Sequence, residues 1–197
     1  MTKPAINYFL TWDKAVQVGV QKAGGKGWNL GRMAKYGFKI PNGGVLTTQA
    51  HDQFIKYNNL QDLADRVSQS ITGENLDETS SQDNLILLRQ KIKEGSVPEP
   101  IVEEVAHMLD SWGIGEKALA VRSSASVEDS SKASFAGIHE SFLNIRGLDN
   151  VMLAVKECYA SLWSSRAVAY RKKLGISDSE LEPAVVVMEM VKAQEAG

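Results

Sequence analysis

The sequence predicts an α+β domain, and three observations favour this class. Short runs rich in β-branched and aromatic residues, typical of strands, are interspersed with stretches whose apolar residues recur at helical spacing. The chain has 197 residues, 43% of them hydrophobic, which is enough to bury a substantial core. The longest uninterrupted apolar run, Ala184 to Met188, is far shorter than the about 20 residues that a membrane span needs. We therefore expect a soluble protein.

Charge and cysteine content exclude several function classes. The net charge is −2, from 22 basic and 24 acidic residues, which gives no general attraction for nucleic acid or an anionic membrane. A phosphate ligand would have to be held by local charges. Cys158 is the only cysteine, so an intramolecular disulfide and a cysteine-based zinc site are excluded, and we expect a packed, inert thiol. Residues 1–12 lack the sustained apolar segment of a signal peptide, and a cytoplasmic location is expected.

Local signals predict the elements of the first third of the chain. In order, these are a strand over residues 5–12, a helix over 28–36, a strand over 45–47 and a helix from Thr48, as N-cap, to about Asn58. Glycines at 24–27 break the chain before the first helix, and Gly37 ends it.

The remaining elements are predicted in the same way, with one polar stretch between them. We expect a surface loop and a short helix without function over 65–84, then helices over 85–93 and from Pro98 to Trp112, strands over 119–122 and 139–145, a helical stripe from Val151 to Tyr170, and a buried strand over 184–191. His107 lies within the second of these helices, where a structural or solvent-facing role is favoured over metal binding.

A serine-rich loop follows the predicted strand that ends at Arg122. Six of the twelve residues from Ser123 to Ser134 are serine, so the backbone can be approached closely. Serine hydroxyls, backbone N–H groups and a guanidinium can together hold a phosphate chain. Taken alone, an arginine beside a solvated serine turn is the favoured interpretation.

A glycine-rich stretch nearly a hundred residues upstream offers a second phosphate-binding feature. Gly24, Gly25 and Gly27 surround Lys26 where a helical pattern begins, and a helix N-terminus supplies unpaired N–H groups to an anion. The spacing is not that of a Walker A motif, and a lone GGKG is as often an ordinary turn.

Two stretches of the chain, residues 24–48 and 121–142, together resemble the N-terminal ATP-binding domain of the phosphoenolpyruvate synthase and pyruvate phosphate dikinase family. Rifampin phosphotransferases share this domain. The sequences of the two stretches are GGKGWNLGRMAKYGFKIPNGGVLTT and VRSSASVEDSSKASFAGIHESF. The resemblance extends from about Trp12 to Gly197. It implies an ATP-grasp-type fold that passes a phosphoryl group from ATP to a histidine on a separate, mobile domain. Residues 1–197 would then be the N-terminal part of that fold, with sub-regions of about 1–115 and 116–197, truncated before the lobe that closes over ATP.

The resemblance also implies roles for individual residues. Lys26 and Arg122 would bind phosphate. Gly137 and Ser141, in the loop that follows Arg122, would contact the nucleotide. Main-chain groups from Glu189 to Val191 would form the adenine hinge. Arg122 would stabilise the charge of the transferring phosphate, and no other catalytic residue is expected in this chain. Met188 departs from the family, because several members have glutamine there and would make a side-chain hydrogen bond that methionine cannot.

The implied cofactors are ATP and Mg²⁺, with the Mg²⁺ ligands expected beyond Gly197 and no metal residue assigned. His51, His107 and His139 do not match the phosphoacceptor motif of the family, although His139 could contact the nucleotide. The leading hypothesis is a phosphoenolpyruvate synthase-like phosphotransferase whose pyruvate site lies in other domains, and this chain alone is expected to be inactive. The alternatives are a non-catalytic nucleotide-binding regulatory module, or a family member that phosphorylates rifampin or a glucan.

Overall fold

The computed structural model describes residues 7–125, 140–178 and 183–191, which form one sheet with helices against both of its faces. The strands are β1 (Phe9–Thr11), β2 (Gly43–Leu46), β3 (Leu119–Ala125), β4 (Ser141–Ile145) and β5 (Pro183–Glu189). The helices are α1 (Trp12–Val18), α2 (Val20–Lys35), α3 (Thr48–Tyr57), α4 (Gln61–Ser70), α5 (Thr79–Glu94), α6 (Glu99–Ser111), α7 (Leu148–Ser161) and α8 (Ser165–Leu174). The predicted α+β class is confirmed.

The sheet has the strand order β1-β2-β5-β3-β4, and every neighbouring pair is antiparallel. The last strand of the chain therefore lies at the centre, between β2 and β3. This position explains why its sequence is an unbroken apolar run, since both of its faces are covered. Two glycines in β2 allow close contact with its neighbours: a Cβ at Gly43 would lie 2.6 Å from the Cβ of Met188, and one at Gly44 would lie 2.3 Å from the carbonyl oxygen of Leu10.

The two faces of the sheet carry separate apolar clusters. On one face, α1 and α2 pack on a small cluster made by Leu10, Trp12, Ala15, Ala23, Val45, Ala184 and Val186. On the other face, a larger cluster joins the sheet to α3 through α8 and includes Phe54, Leu88, Val105 and Tyr159. Cys158 is buried in this larger cluster, as the sequence predicts.

The predicted start of the chain needs correction. Among the described residues the first strand covers Phe9–Thr11, and Trp12 begins α1 instead of ending the strand. Residues 5 and 6 of the predicted strand lie outside the described residues. The indole N–H of Trp12 donates to the carbonyl of Pro41 at 3.0 Å, and its ring is buried in the smaller cluster. The N-cap of α3 is Thr47, one residue before the predicted Thr48.

The polar stretch over 65–84 is also more helical than predicted. It contains the end of α4 and the first six residues of α5. Polar contacts hold α4 in place: the Ser68 hydroxyl donates to Asp178 Oδ2 at 2.7 Å, and Asp178 also binds Arg171 Nε at 2.9 Å and Lys172 Nζ at 3.3 Å. This polar network adds to the apolar contacts of Leu63, Ala64 and Val67.

The predicted helical stripe from Val151 to Tyr170 is two helices. The first ends at Ser161, and Ser164 caps the second by accepting a hydrogen bond from the Ala167 N–H at 3.2 Å. Of the helices in the part of the chain described, none is both long enough and apolar enough to cross a membrane.

Candidate functional site

The glycine-rich stretch lies in a kinked part of α2. The helix begins at Val20, earlier than predicted, but Gly24 has φ 67° and ψ 168° and interrupts it. This backbone conformation is essentially restricted to glycine. A new helical segment starts after Gly24, so the N–H groups of its first turn, which includes Lys26, have no partner within that segment. Lys26 itself is half-buried.

Ser124 of β3 joins this turn to the sheet. Its hydroxyl accepts a hydrogen bond from the Gly27 N–H at 3.1 Å and donates one to the Ala23 carbonyl at 3.3 Å. Gly24 lies so close that a Cβ there would stand 1.9 Å from the Ser124 carbonyl oxygen. The glycine-rich stretch and the serine-rich strand end, 97 residues apart in the sequence, therefore meet at one point.

Arg122 lies two residues before Ser124 on the same strand. Alternate residues of a strand share a face, so Arg122 projects on the α2 side of the sheet, as Ser124 does. It pairs with Ser141 of β4 on one side and with Val186 of β5 on the other. Its Nε donates to the Ser141 hydroxyl at 3.3 Å. The structure thus brings two predicted site residues, Arg122 and Ser141, into direct contact beside the turn that carries Lys26.

The predicted hinge residues lie further along the same pair of strands. Glu189 pairs with Leu119, three residues along the register from the Arg122–Val186 pair. At about 3.4 Å per residue, this places the two positions about 10 Å apart along the strands. The carboxylate of Glu189 binds Lys117 Nζ at 2.8 Å, and Val191 is 68% exposed.

Two main-chain donors of the predicted hinge are already occupied. The Glu189 N–H donates to the Asn42 carbonyl at 2.8 Å, and the Met190 N–H donates to the Ala118 carbonyl at 2.9 Å. Neither group can therefore donate to the edge of a base without breaking a contact within the protein.

Gly137, for which the resemblance implies a nucleotide contact, lies outside the described residues, as does His139. Within residues 7–125, 140–178 and 183–191, no group of three or more histidine, cysteine, aspartate or glutamate side chains is placed to hold a metal ion. No Mg²⁺ ligand is assigned among them. The groups on the α2 side of the sheet include the Arg122 guanidinium, the Ser141 hydroxyl bound to it, and the N–H groups of the helix start near Lys26. Groups of these types bind polyphosphates.

A cavity of about 450 Å³ lies on the other face of the sheet, away from these groups. His51, Asp65 and Trp163 are among the residues that line it, and none of the predicted site residues that the structure describes does. The Nδ1 of His51 is 3.8 Å from a carboxylate oxygen of Asp52, and its ring packs edge-on against Tyr159 at 4.8 Å between centroids. His51 is therefore part of the helical layer, on the opposite face of the sheet from Arg122 and Ser124.

Sequence reasoning missed Ser124. The serine-rich pattern marks the loop as a whole but does not show which hydroxyl contacts α2. The available signal was its spacing, because Ser124 must share a face with Arg122 if the strand continues past residue 122, and β3 continues to Ala125.

The sequence is similar to those of known proteins. A sequence profile of the family described as pyruvate phosphate dikinase, AMP/ATP-binding domain, matches residues 20–197. A probable phosphoenolpyruvate synthase of Methanocaldococcus jannaschii is 35% identical over 195 residues, which cover 96% of this chain and 16% of that protein. The phosphoenolpyruvate synthase of Aquifex aeolicus is 35% identical over 179 residues, covering 87% of this chain and 21% of that protein.

A rifampicin phosphotransferase of Bacillus subtilis is 39% identical over 176 residues, which cover 88% of this chain and 20% of that protein. The chain thus spans about a sixth to a fifth of the length of these relatives.

Proposed function

The chain belongs to the family of the pyruvate phosphate dikinase AMP/ATP-binding domain, and on this basis we propose that it binds ATP for a phosphoenolpyruvate synthase-like phosphotransferase. The intact protein would split ATP to AMP and phosphate and pass a phosphoryl group, through a histidine on another domain, to pyruvate. A cytoplasmic location and an ATP-grasp-type fold are part of the same proposal.

The observation that carries this proposal is the meeting of the two phosphate-binding motifs at Ser124. It places the helix turn of Lys26 beside the strand of Arg122 and on the same face of the sheet. Two cationic groups on one polyphosphate would neutralise its charge, and charge stabilisation is most of what a protein contributes to phosphoryl transfer.

Each residue has a separable task in this arrangement. Arg122, with its Nε bound to Ser141, presents its terminal nitrogens to two phosphate oxygens, which is the fork geometry of guanidinium–phosphate pairs. Lys26 adds a point charge at a helix start, and the N–H groups there favour an anion. The base would lie toward Glu189 and Val191, about 10 Å along the strands from Arg122. When bound, Mg²⁺ would neutralise phosphate charge, and its protein ligands would come from elsewhere in the intact protein.

The test is a calorimetric titration of the intact protein with ATP and with adenosine, for the wild type and Arg122→Ala. Losing one charge-assisted contact should weaken ATP binding by about 1.5–3 kcal/mol, or about 10- to 150-fold, and leave adenosine binding unchanged. Arg146→Ala is a matched control, because Arg146 donates to the Glu116 carbonyl outside the proposed site. Equal ATP affinity in the wild type and Arg122→Ala would refute the proposal.

A second candidate within the same class is phosphorylation of rifampicin. The 39% identity to a rifampicin phosphotransferase is at least as high as that to the two phosphoenolpyruvate synthases compared. The ATP-binding chemistry would be the same, since the acceptor is chosen by other domains. Incubating the intact protein and ATP with either pyruvate or rifampicin, and following AMP release, separates the two candidates.

A further inference from the structure

Ser124 is fully buried. Its hydroxyl accepts one hydrogen bond from α2 and donates one to it. The two partners lie on opposite sides of the kink: Ala23 ends the first helical segment, and Gly27 lies in the first turn of the second. One hydroxyl from a distant strand thereby fixes both sides of the break in the helix.

The hydroxyl acts as an N-cap supplied from another element. A helix start is normally capped by the side chain of the residue just before it, which accepts a hydrogen bond from an N–H two or three positions on. Gly24 occupies that position and has no side chain, as its backbone conformation and its contact with Ser124 require. Ser124 Oγ accepts the hydrogen bond from the third of the following N–H groups, that of Gly27.

The geometry points to a specific role: we propose that Ser124 is a positioning residue for Lys26, which it holds in register with Arg122 on one polyphosphate. This inference rests on the proposed function. Lys26 lies between Gly24 and Gly27, both of which contact Ser124. Arg122 lies two residues before Ser124 on the same strand. Ser124 thus connects the backbone on both sides of Lys26 to the strand that carries Arg122.

If Ser124 has this role, loss of its hydroxyl should weaken binding of the phosphates of ATP, and the effect should depend on Lys26. A double-mutant cycle in the intact protein tests this by combining Ser124→Ala with Lys26→Ala and measuring the Kd of ATP and of adenosine. Ser124→Ala alone should weaken ATP binding about five- to tenfold, because it removes both hydrogen bonds that hold the turn of Lys26. In the Lys26→Ala background its effect should be less than about twofold, because the group it positions is absent.

A merely structural role gives a different result. Ser124→Ala would then weaken ATP binding by the same factor in both backgrounds, or would weaken adenosine binding as much as ATP binding, and either outcome overturns the inference. Melting temperatures measured in parallel show whether the variant is destabilised equally in the two backgrounds, which separates stability from positioning. If Ser124→Ala does not fold, Ser124→Cys nearly preserves the volume and weakens the hydrogen bonds, and the same cycle applies.

The chain offers a matched control in the neighbouring residue. Ser123 is 3% exposed and lies on the same strand, but its side chain faces the opposite side of the sheet. Among the residues that the structure describes, its hydroxyl has no hydrogen-bond partner. Ser123→Ala should leave ATP affinity unchanged, and a loss equal to that of Ser124→Ala would count against the inference.

The outcomes also distinguish this inference from the proposed function. If Lys26→Ala and Arg122→Ala each leave ATP affinity unchanged, the phosphate site itself is wrong. If both weaken ATP binding but Ser124→Ala acts equally in the two backgrounds, the phosphate site stands and only the role of Ser124 is removed.

Discussion

Gly24 and Ser124 are in direct backbone contact: a Cβ added to Gly24 would lie 1.9 Å from the carbonyl oxygen of Ser124 and 2.4 Å from its hydroxyl. The nearest atom is backbone, so it cannot be moved by a change of rotamer. Gly24 also has a positive φ of 67°. Residue 24 must therefore be glycine for two independent reasons, steric space and backbone conformation.

Gly24→Ala should lower the free energy of unfolding by about 2–6 kcal/mol, combining about 1–3 kcal/mol of backbone strain with about 1–3 kcal/mol of overpacking. Urea unfolding of the two proteins measures the difference. Gly19→Ala is the control, because Gly19 has a similar backbone conformation, φ 82° and ψ 174°, with no atom within 4 Å of the added Cβ. Equal losses in the two variants would contradict the contact between residue 24 and Ser124.

Asp178→Asn should lower the free energy of unfolding by about 3–5 kcal/mol, because it leaves a buried charge unpaired. Arg171 is fully buried and binds Asp178 at 2.9 Å through Nε, and the Asp178 side chain is only 4% exposed. Burial acts to lower the pKa of Arg171, and Asp178 opposes that shift. Chemical denaturation measures the loss.

The control for this substitution is Glu157→Gln, which breaks an exposed ion pair with Lys93 at 2.7 Å. Such a pair contributes about 0–1 kcal/mol. A cost for Asp178→Asn no larger than that of the control would show that the buried network does not hold α4 and α8 together.

Acid should remove the contribution of Asp178. Burial alone would raise the pKa of its carboxyl, but the charge of Arg171, hydrogen bonds from Ser68 and Arg171, and the charge of Lys172 outweigh burial and lower it. A lowered pKa in the folded state stabilises the protein above the unfolded value of about 3.9, and that stabilisation is lost as the pH falls through the folded-state pKa.

The stability gap between the wild type and Asp178→Asn should therefore be constant above about pH 5 and shrink below about pH 4. Urea unfolding from neutral pH into this acid range measures it. A gap that widens on acidification would mean that the pKa of Asp178 is raised instead of lowered.

The sequence alone predicts the elements whose stability comes from their own apolar residues. The helix from Thr48 and the one after Pro98 are found close to their predicted bounds, because each presents a periodic buried face such as Ile101, Val105 and Leu109. The buried strand β5 is found because its unbroken apolar run is covered on both faces of the sheet.

Elements that depend on distant contacts are the ones that sequence patterns miss. Only Ala64 and Val67 are buried in α4, and its position is set by Ser68 and Asp178, which are 110 residues apart. The kink in α2 likewise depends on Ser124, and its glycines are used for close packing: a Cβ at Gly27 would lie 3.0 Å from Val45 Cγ2. No local pattern encodes these partners.

The predicted site shows the same division. The types of residue that bind phosphate could be identified from the two motifs, and the resemblance assigned Lys26, Arg122 and Ser141. The hydrogen bond of Arg122 to Ser141 and the occupied N–H groups of Glu189 and Met190 depend on strand register, which the sequence does not reveal.

Protection of Lys26 by ATP tests most directly the claim that two cations share one polyphosphate. The intact protein is treated with an amine-acetylating reagent, with and without ATP, and modification of each lysine is quantified by peptide mass spectrometry. We predict that ATP protects Lys26, that adenosine does not, and that Arg122→Ala abolishes protection at the same ATP concentration. Exposed Lys56, on α3 at the other face of the sheet, should react equally under all conditions. Modification of Lys26 at the same rate with and without saturating ATP would contradict the account.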